Sequence, residues 1–519
     1  MSSHFIGFDC GTQGTKVAIY SEDSTLVAEA FREHRITYPK PGWAEMDPEQ
    51  FYQVVCQGIA ECLAKAKIDP ASVKGISCSG IICGLVPIDQ DWNPQGPYIP
   101  YLDGRSCDEA ARISREVEPL WQSESGNVEV GPFMPPVMLT WLMAHQPELV
   151  ARSRKFVTNS QFVMGKLGGL TAGEAYMDWG NLSGWIIGYD AARRDWSDRQ
   201  LDLLGLPREL LPPVVDPASV VGTLSPAGAR DTGLPVGIPL VAGSGDIMQA
   251  NLGCGVLAPG QSSDVAGTAS IFTVNVAEIH PGITPVPGVI YSMGTLAGQY
   301  LYWGYIRAGG LSLGWLKEEV MRQGGEEGFF RAMDELAAAA PLGSLASLFY
   351  PFLQGGDASL PGASAAWLGL TGASGAGSMW RSMLEGICFE YLGWVQMFRQ
   401  QGIAISEVIG TGGGSKSPLW NQIKADMLGA DYVTLQRAEG SVLGDALLAA
   451  HGVGAIPDLA AAAGCWAAAQ DRYCPRPAEG AAYQKVYQAR QRILEGPLRQ
   501  IFTELAALQN QDLSANTKE

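Results

Sequence analysis

The chain has 519 residues, too many for one compact core, so we expect two domains of a few hundred residues each. Apolar residues make up 46% and charged residues 17% of the chain, a composition typical of globular proteins. The net charge of −18 disfavours nucleic acid and anionic membranes as partners, because their phosphates would be repelled, but it leaves a small phosphorylated ligand open.

Three β-rich runs open the chain: FIGFD, TKVAIY and LVAEAF, separated by the polar connections CGTQG and SEDST. Short connections between β-rich runs predict an antiparallel meander. The next segment, PGWAEMDPEQF, predicts a helix start, with Asp47 as the N-cap, Pro48 as the first helical residue and Gln50 completing a capping box. Apolar residues then recur at helical spacing, and VKGISCSG and CGLVPID predict two further strands.

A similar pattern returns near residue 240, where IPLVAGSGDIMQANLGCG predicts a strand, a glycine-rich acidic turn and a short helix. The strand pair predicted in SSDVAGTASIFTV then encloses a Gly-Thr turn, as the first strand pair of the chain does. Two such units predict a duplicated fold with one nucleotide between its halves. We therefore expect domains at residues 1–245 and 246–478, followed by a C-terminal helix and tail at 479–519.

The rest of the second half alternates helices with glycine-rich loops. GSMWRSMLEGICFEYLGWVQMFRQQG has few helix breakers and predicts a long buried helix that ends at Gly402. ISEVIGTGGGSKSPLWNQIKADMLG predicts a strand, a glycine loop and a helix. The chain ends on a predicted helix followed by NQDLSANTKE, which we expect to be a frayed tail.

Cysteine and histidine usage gives no sign of a metal or disulfide framework. The ten cysteines contain no CxxC pair and the five histidines no HExxH motif, so we expect free thiols and no zinc site. Asp9 interrupts the N-terminal apolar run, which therefore lacks the layout of a signal peptide. No apolar run is long enough to span a bilayer, so we expect a cytoplasmic protein.

Three glycine-rich turns remain once the absent GxxxxGK[ST] and GxGxxG motifs have disfavoured a Walker-type kinase and an NAD-linked oxidoreductase. In DCGTQGTK, backbone amides and hydroxyls could bind phosphate while Asp9 holds a hydrated cation, but a polar hairpin explains the residues equally well. In GSGDIMQANLGCG, Asp246 could be a general base, although an N-cap is the stronger interpretation of this stretch alone. In GTGGGSKSPLW, consecutive glycines favour close approach of a purine or a phosphate over a mobile connection.

The combination of these turns is more informative than each one alone. Two Gly-Thr turns, two isolated acids at strand ends and a downstream glycine loop predict a nucleotide-dependent phosphotransferase. The expected fold is α/β, with two actin-like (ribonuclease H-like) ATPase domains and a cleft between them.

The chain resembles the FGGY carbohydrate kinases, and within them the xylulokinase-like branch, over nearly its whole length. FDCGTQGTK is similar to the family's first phosphate motif and DVAGTAS to its second. GSGD matches the segment with the catalytic aspartate, and GGGSKSPLWNQIKADMLG, completed by SVLGDALLAAHG, is close to the adenosine motif. PGWAEMDPEQF, SGIICGLVPID and YLDGRS follow the family's order as well.

The resemblance implies a role for each matched residue. Asp246 would be the general base that takes the proton of the sugar hydroxyl, and Asp9 would hold Mg²⁺ through its water shell. ATP would be bound by a further set, with the β- and γ-phosphates at Gly11, Thr12, Gly267 and Thr268 and the adenosine between Gly310 and Gly413. Lys16 matches a position where another basic residue is common, and we expect it to be a solvated strand lysine.

The sugar-binding segment departs from the family pattern. Xylulokinase-like enzymes carry Gln-Met-His where this chain has Ile81-Ile82-Cys83, so the wall expected at Ile82 and Cys83 is more apolar. A site that loses a hydrogen-bonding group should accept a different sugar. Asp103 in YLDGR matches the family and is expected either to orient a polar group at the substrate or to form an ion pair with Arg105.

The leading expectation is an ATP- and Mg²⁺-dependent kinase that phosphorylates a primary hydroxyl of a small sugar, first of all a xylulose-like pentulose. Another ketose or a polyol, of the ribulose, erythritol or glycerol type, is the alternative substrate. A non-catalytic, nucleotide-switched actin-like module is the alternative from another class. The expected partner is a small-molecule sugar, without nucleic acid or membrane, and a homodimer is the candidate assembly.

Overall fold

Residues 2–280, 288–323, 328–356, 360, 362–437 and 440–509 are described by the computed structural model. The first half contains the strands β1 (His4–Cys10), β2 (Gly14–Ser21), β3 (Leu26–Glu33), β4 (Val73–Gly80), β5 (Gly84–Ile88), β6 (Ile99–Pro100), β7 (Lys155–Val157), β8 (Met177–Asp178), β9 (Tyr189–Asp190), β10 (Asp195–Trp196), β11 (Val214–Val215), β12 (Val220–Thr223) and β13 (Pro239–Val241). Its helices are α1 (Pro48–Ala66), α2 (Cys107–Glu116), α3 (Trp121–Glu124), α4 (Pro135–His145), α5 (Pro147–Arg152), α6 (Asn159–Gly168), α7 (Trp179–Ser183), α8 (Asp198–Leu204), α9 (Pro226–Thr232) and α10 (Asp246–Gly253).

The second half adds the strands β14 (Gln261–Ala266), β15 (Ser270–Val276), β16 (Val289–Met293), β17 (Tyr300–Ile306), β18 (Leu348–Tyr350), β19 (Ala366–Leu368), β20 (Glu407–Thr411), β21 (Asp431–Leu435) and β22 (Ala469–Tyr473). Its helices are α11 (Gly309–Trp315), α12 (Phe329–Ala338), α13 (Ala376–Gln400), α14 (Pro418–Leu428), α15 (Ser441–Gly452), α16 (Leu459–Trp466), α17 (Pro477–Ile493) and α18 (Arg499–Gln509). The predicted tail, residues 510–519, lies outside the described residues. Among the described helices, none combines the length and apolarity needed to cross a membrane.

The large sheet of the first half has the strand order β12-β13-β4-β1-β2-β3. β1, β2 and β3 form the predicted antiparallel meander, and β4 and β13 continue the sheet in parallel with β1. β1 and β4 are buried almost throughout, which explains their nearly continuous apolar and small residues. The predicted strand CGLVPID is β5, which pairs with β6 and β7 in a separate small sheet.

The large sheet of the second half, ordered β16-β17-β15-β14-β20-β21-β22, repeats the first. β17, β15 and β14 are antiparallel, and β20 and β21 join in parallel, so β17-β15-β14-β20-β21 corresponds to β3-β2-β1-β4-β13. The predicted duplication is therefore confirmed. The domain boundary that we propose at residue 246 falls between the two sheets.

The start of α1 agrees with the sequence in part. Asp47 is the N-cap and accepts from the Glu49 amide, and Pro48 occupies the first helical position. The expected capping box is wrong, because the Gln50 side-chain oxygen accepts from the amide of Arg35 outside the helix.

The two later predicted helices form as expected. α13 is the long buried helix, and it ends at Gln400, two residues before Gly402 with its left-handed φ of +82°. β20, a glycine turn at Gly413–Lys416 and α14 follow in the predicted order.

Helix α15 belongs to the second half of the chain but packs on β1, β2 and β4 of the first half. Gly7 makes this approach possible, since a Cβ at that position would lie 2.7 Å from the Cβ of Asp445 and would clash with the Val442 carbonyl. α10, which leads out of the first half, packs along α15 in turn. These two helices therefore connect the halves directly beneath the ends of β1 and β4.

Candidate active site

The first Gly-Thr turn closes the hairpin between β1 and β2. Inside it the Gly11 amide donates to the Gly14 carbonyl at 3.1 Å, while Thr12 stays partly exposed. Asp9 is the second-last residue of β1, and its Oδ2 accepts from the Ser441 hydroxyl at 2.8 Å. A residue from the second half of the chain therefore contacts the acid that precedes the first turn.

Lys16 lies directly opposite Asp9 in the β1–β2 register. Opposed residues of an antiparallel pair present their side chains on the same sheet face, so Lys16 shares a face with Asp9. Lys16 lies in β2 and is partly buried, and its expected role as a solvated strand lysine stays a prediction.

Asp246 is the first residue of α10, and its N-cap is Gly245. The interpretation of Asp246 as an N-cap is therefore wrong by one residue. Its Oδ1 accepts from the neighbouring Ile247 amide at 2.8 Å. Burial, with the negative charge of Asp9 as the second cause, raises the pKa of the Asp246 carboxyl to about 7. A carboxyl with that pKa exchanges a proton readily near neutral pH, as a general base must.

The predicted sugar wall lies beside this acid. Ile82 packs against Gly245, where an added Cβ would clash with the Ile82 side chain. The Cys83 thiol donates to the Gly184 carbonyl at 3.2 Å, and burial, followed by the charge of Asp246, raises the pKa of that thiol. The wall is thus apolar at Ile82, and at Cys83 the thiol hydrogen is already donated to the Gly184 carbonyl.

Asp103 forms the ion pair that was one of its two expected roles. Its Oδ1 accepts from the Arg105 Nε at 2.8 Å, and its Oδ2 accepts from the Ala44 amide at 2.7 Å and from the Arg105 Nη2 at 2.9 Å. The guanidinium also stacks 3.9 Å above the Trp43 ring. Since both carboxylate oxygens are engaged, any influence of Asp103 on a substrate must act through the position of its loop.

Tyr101 is a site residue that the sequence did not single out. The residue is 42% exposed, but its hydroxyl interacts by hydrogen bonding with the Thr12 side chain, and partial burial, together with the charge of Asp246, raises the pKa of that hydroxyl. Tyr305 on β17 is another neighbour, so the two halves of the chain face each other here. The available signal was an aromatic residue two positions before Asp103 in PYLDGR.

The second Gly-Thr turn connects β14 to β15 and receives the start of α11. The Gly310 amide donates to the Gly267 carbonyl at 2.9 Å, and the Leu311 amide donates to the Thr268 carbonyl at 3.0 Å. A Cβ on Gly310 would clash with the Gly267 carbonyl, which explains the glycine. Thr268 remains exposed at the tip of the turn.

The glycine loop predicted to bind adenosine lies next to this second turn. A Cβ on Gly412 would lie 2.8 Å from the Ala266 carbonyl, and one on Gly414 would lie 2.7 Å from the Ala266 Cβ. Gly413 between them is exposed, and an added Cβ would meet no described atom within 4 Å. The fold therefore brings together Gly267, Thr268, Gly310 and Gly413.

Asp445 is a second residue that the sequence did not single out. It lies on α15 one turn after Ser441, is fully buried, and accepts from the Ser79 hydroxyl at 2.9 Å. Burial and the charge of Asp9 raise the pKa of its carboxyl. An acid in the otherwise apolar run SVLGDALLAAHG was the available signal.

The cradles on the two sheets suit a nucleoside triphosphate. Gly310 and Gly412 let the second Gly-Thr turn, the start of α11 and the glycine loop approach one another closely, and exposed Thr268 and Gly413 offer a hydroxyl and a backbone amide to phosphate or purine. Two like sheets, each with a Gly-Thr turn, with Asp9 near the end of β1 and Asp246 at the start of α10, define a phosphotransferase of the actin-like class.

Comparison with known proteins identifies the family within that class. Residues 4–253 match the N-terminal domain of the FGGY family of carbohydrate kinases, and residues 264–453 match its C-terminal domain. The chain therefore belongs to the FGGY family of carbohydrate kinases and is a sugar kinase, a conclusion that rules out the non-catalytic module.

Similar proteins within the family are named after different substrates. The xylulose kinase of Bacillus subtilis is 26% identical over 462 residues, which cover 88% of this chain and 89% of the relative. The gluconokinase of Bacillus subtilis is 23% identical over 475 residues, covering 88% and 89%. The crystal structure of a xylulose kinase from Rhodospirillum rubrum superposes with a TM-score of 0.84 at 26% identity, covering 97% of this chain and all of that one.

Proposed function

We propose that this kinase transfers the γ-phosphate of ATP to a primary hydroxyl of a small sugar, with a xylulose-like pentulose as the first candidate. The observation that supports the proposal most is the position of Asp246. On one side, Asp246 lies near Tyr101, whose hydroxyl interacts with Thr12 of the first phosphate turn. On the other side, it lies near the wall formed by Ile82 and Cys83. A hydroxyl beside that wall would present its proton to Asp246 and its oxygen to a phosphate at the turn.

Each predicted residue then has a task in the transfer. Asp246 accepts the hydroxyl proton, while backbone amides and hydroxyls of the two Gly-Thr turns donate to phosphate oxygens, whose charge spreads during transfer. Asp9 would hold Mg²⁺, which would supply positive charge to the phosphates during the transfer. The loop at Gly413, next to the second turn, would receive the adenosine. Tyr101 and Tyr305 lie where closure of the two halves would exclude water from the reacting phosphate.

The identity of the sugar is the finer part of the proposal. The Cys83 thiol is already engaged with Gly184, and Ile82 is apolar, so the side chains of this wall offer no free donor to a sugar hydroxyl. A substrate that needs no hydrogen bond from that wall is therefore the alternative, whether another ketose, a polyol or a deoxygenated sugar. Cytoplasmic location and a homodimer stay predictions.

A coupled assay of ATP consumption over pentuloses, pentitols and tetritols identifies the acceptor. We expect one of these compounds to accelerate ATP consumption with one sugar phosphate formed per ATP consumed. The variant Asp246→Ala should retain nucleotide affinity within about threefold and lose at least 10³-fold in kcat, because only the base is removed. Sugar phosphate formed by Asp246→Ala at the native rate would refute the assignment of the base.

A further inference from the structure

We propose that Asp445 is a second carboxylate of the cation site, acting with Asp9 on the divalent ion that accompanies the nucleotide. The proposal deepens the function proposed above and rests on its placement of the cation at Asp9. It extends that site to a residue of the second half of the chain, so that the ion would join the two halves of the molecule.

The path of α15 across β1 places Asp445 on the correct face. Its Cβ packs against Gly7, and Gly7 and Asp9 are two residues apart in β1, so they face the same side of the sheet. Ser79 is the register partner of Asp9 on the parallel neighbour β4, and the Ser79 hydroxyl donates to the Asp445 Oδ2 at 2.9 Å. The Asp445 carboxylate therefore lies at the level of Asp9.

The preceding turn of α15 contacts Asp9 itself. Ser441 and Asp445 are four residues apart and share one helix face. The Ser441 hydroxyl donates to the Asp9 Oδ2, while Asp445 contacts the neighbouring strand through Ser79. Two serines thus fix the two acids from opposite elements.

One carboxylate oxygen of Asp445 has room for a ligand. Asp445 is fully buried, and its Oδ1 forms no hydrogen bond of ordinary geometry with the described residues, although the Gln249 side chain lies close enough to lower the pKa of the carboxyl. A buried carboxylate oxygen without a donor is unfavourable unless it is protonated or meets a cation. Lys16, opposite Asp9, supplies one positive charge to a region that holds three carboxylates, those of Asp9, Asp246 and Asp445.

The number of protein ligands suits Mg²⁺. Among the described residues, no group of three or more His, Cys, Asp or Glu side chains is arranged to hold a metal ion. Mg²⁺ is usually held by one or two carboxylates, with waters and substrate phosphates completing its octahedron. Asp9 and Asp445 on the protein side, with phosphate oxygens on the other, match that arrangement.

Manganese binding tests the proposal without any sugar or turnover. Mn²⁺ is titrated into the full-length protein with saturating ADP, and free Mn²⁺ is measured by electron paramagnetic resonance. We expect Asp445→Asn to weaken Mn²⁺ binding at least tenfold, because an amide lacks the carboxylate charge. Asp178→Asn is the matched control: it also removes a fully buried carboxylate, and it should leave the Mn²⁺ affinity within twofold of the native value.

Two further variants separate the possible failures. Asp9→Asn tests the cation placement in the proposed function, and native affinity in that variant would refute that placement whatever Asp445 does. Should Asp445→Asn fail to fold, Ser79→Ala keeps the carboxylate and removes the hydroxyl that orients it, with at least threefold weaker Mn²⁺ binding expected. Native Mn²⁺ affinity in Asp445→Asn, or in Ser79→Ala where that variant takes its place, would overturn the role of Asp445.

Discussion

Burial and the charge of Asp9 bring the pKa of the Asp246 carboxyl to about 7, so both its charged and its neutral form are populated near physiological pH. The raised value has a definite sign: below pH 7 the carboxyl is protonated and cannot accept the proton of a hydroxyl. We therefore expect kcat/KM to rise tenfold per pH unit up to about 7 and then to level off. The pH profile of kcat/KM reports the groups of the free enzyme and is the measurement of choice.

A control separates Asp246 from Asp178, another buried acid with a raised pKa. Burial raises the pKa of Asp178 to about 6, but this residue is the N-cap of α7 and accepts from the Asn181 amide. Asp178→Asn should leave the midpoint of the kcat/KM profile unchanged. A native profile with its midpoint below pH 5 would contradict a base with a raised pKa.

Single residues were predictable where a local pattern accompanied them. Asp9, next to a Gly-Thr pair between two apolar runs, could be singled out from the sequence, and so could Asp246 after two small residues. The N-cap of α10 was placed one residue too late because Gly245 and Asp246 are both residue types that can cap a helix. Asp445 could not be found, since its neighbours Gly7 and Ser79 are hundreds of residues away in the chain.

Among the elements, β14 is held in place by a buried charged network below the second turn. The Asp264 Oδ2 accepts from the Lys424 Nζ at 2.5 Å and from the Tyr432 hydroxyl at 2.7 Å, while its Oδ1 accepts from the Tyr391 hydroxyl at 2.8 Å. These partners lie on α14, β21 and α13, and the side chains of Asp264 and Lys424 are fully buried. The network therefore fixes the strand that leads to Gly267 against three other elements.

Removing one partner of this network should be far more harmful than removing two. Lys424→Met leaves the Asp264 charge buried without its cation, so we expect a loss of about 3–5 kcal/mol in the free energy of unfolding. The double variant Lys424→Met with Asp264→Asn should recover at least half of that loss. Urea unfolding followed by tryptophan fluorescence measures both, since Lys424 lies 4.1 Å above the Trp420 ring. Additive losses in the double variant would contradict a charge-based origin.

The order of the elements could be read from the sequence because each strand and helix has its own period and turn residues. The meander β1–β3, the buried helix α13 and the strand–loop–helix unit β20–α14 formed as expected. The pairing of β5 with β6 and β7 was not predictable, because β6 is two residues long and β7 three. Strands this short carry no period to recognise.

Over the whole molecule, the duplication places one glycine-rich turn of each half next to the cleft and joins the halves through α10 and α15. The sequence contained the repeat in its two Gly-Thr units, but not the crossing of these helices, which depends on small residues at their contact. A Cβ on Gly444 would clash with the Gln249 carbonyl, and one on Gly253 with the Gly440 carbonyl. Backbone contact at both points brings the helices closer together than side chains would allow.

This close crossing should affect both stability and coupling to the acceptor. In Gly444→Ala the added methyl group must push α15 away from the Gln249 carbonyl of α10, so we expect a loss of about 1–3 kcal/mol in the free energy of unfolding. Displaced halves would also close poorly on their ligands, so more ATP should be hydrolysed per sugar phosphate formed. The matched control is Gly464→Ala at an exposed position of α16, where an added Cβ meets no described atom within 4 Å and the change should stabilise by about 0.5–1 kcal/mol. Unfolding by urea and the ratio of ADP to sugar phosphate measure the two effects. If Gly444→Ala keeps native stability and a ratio of one, the crossing of α10 and α15 does not control closure.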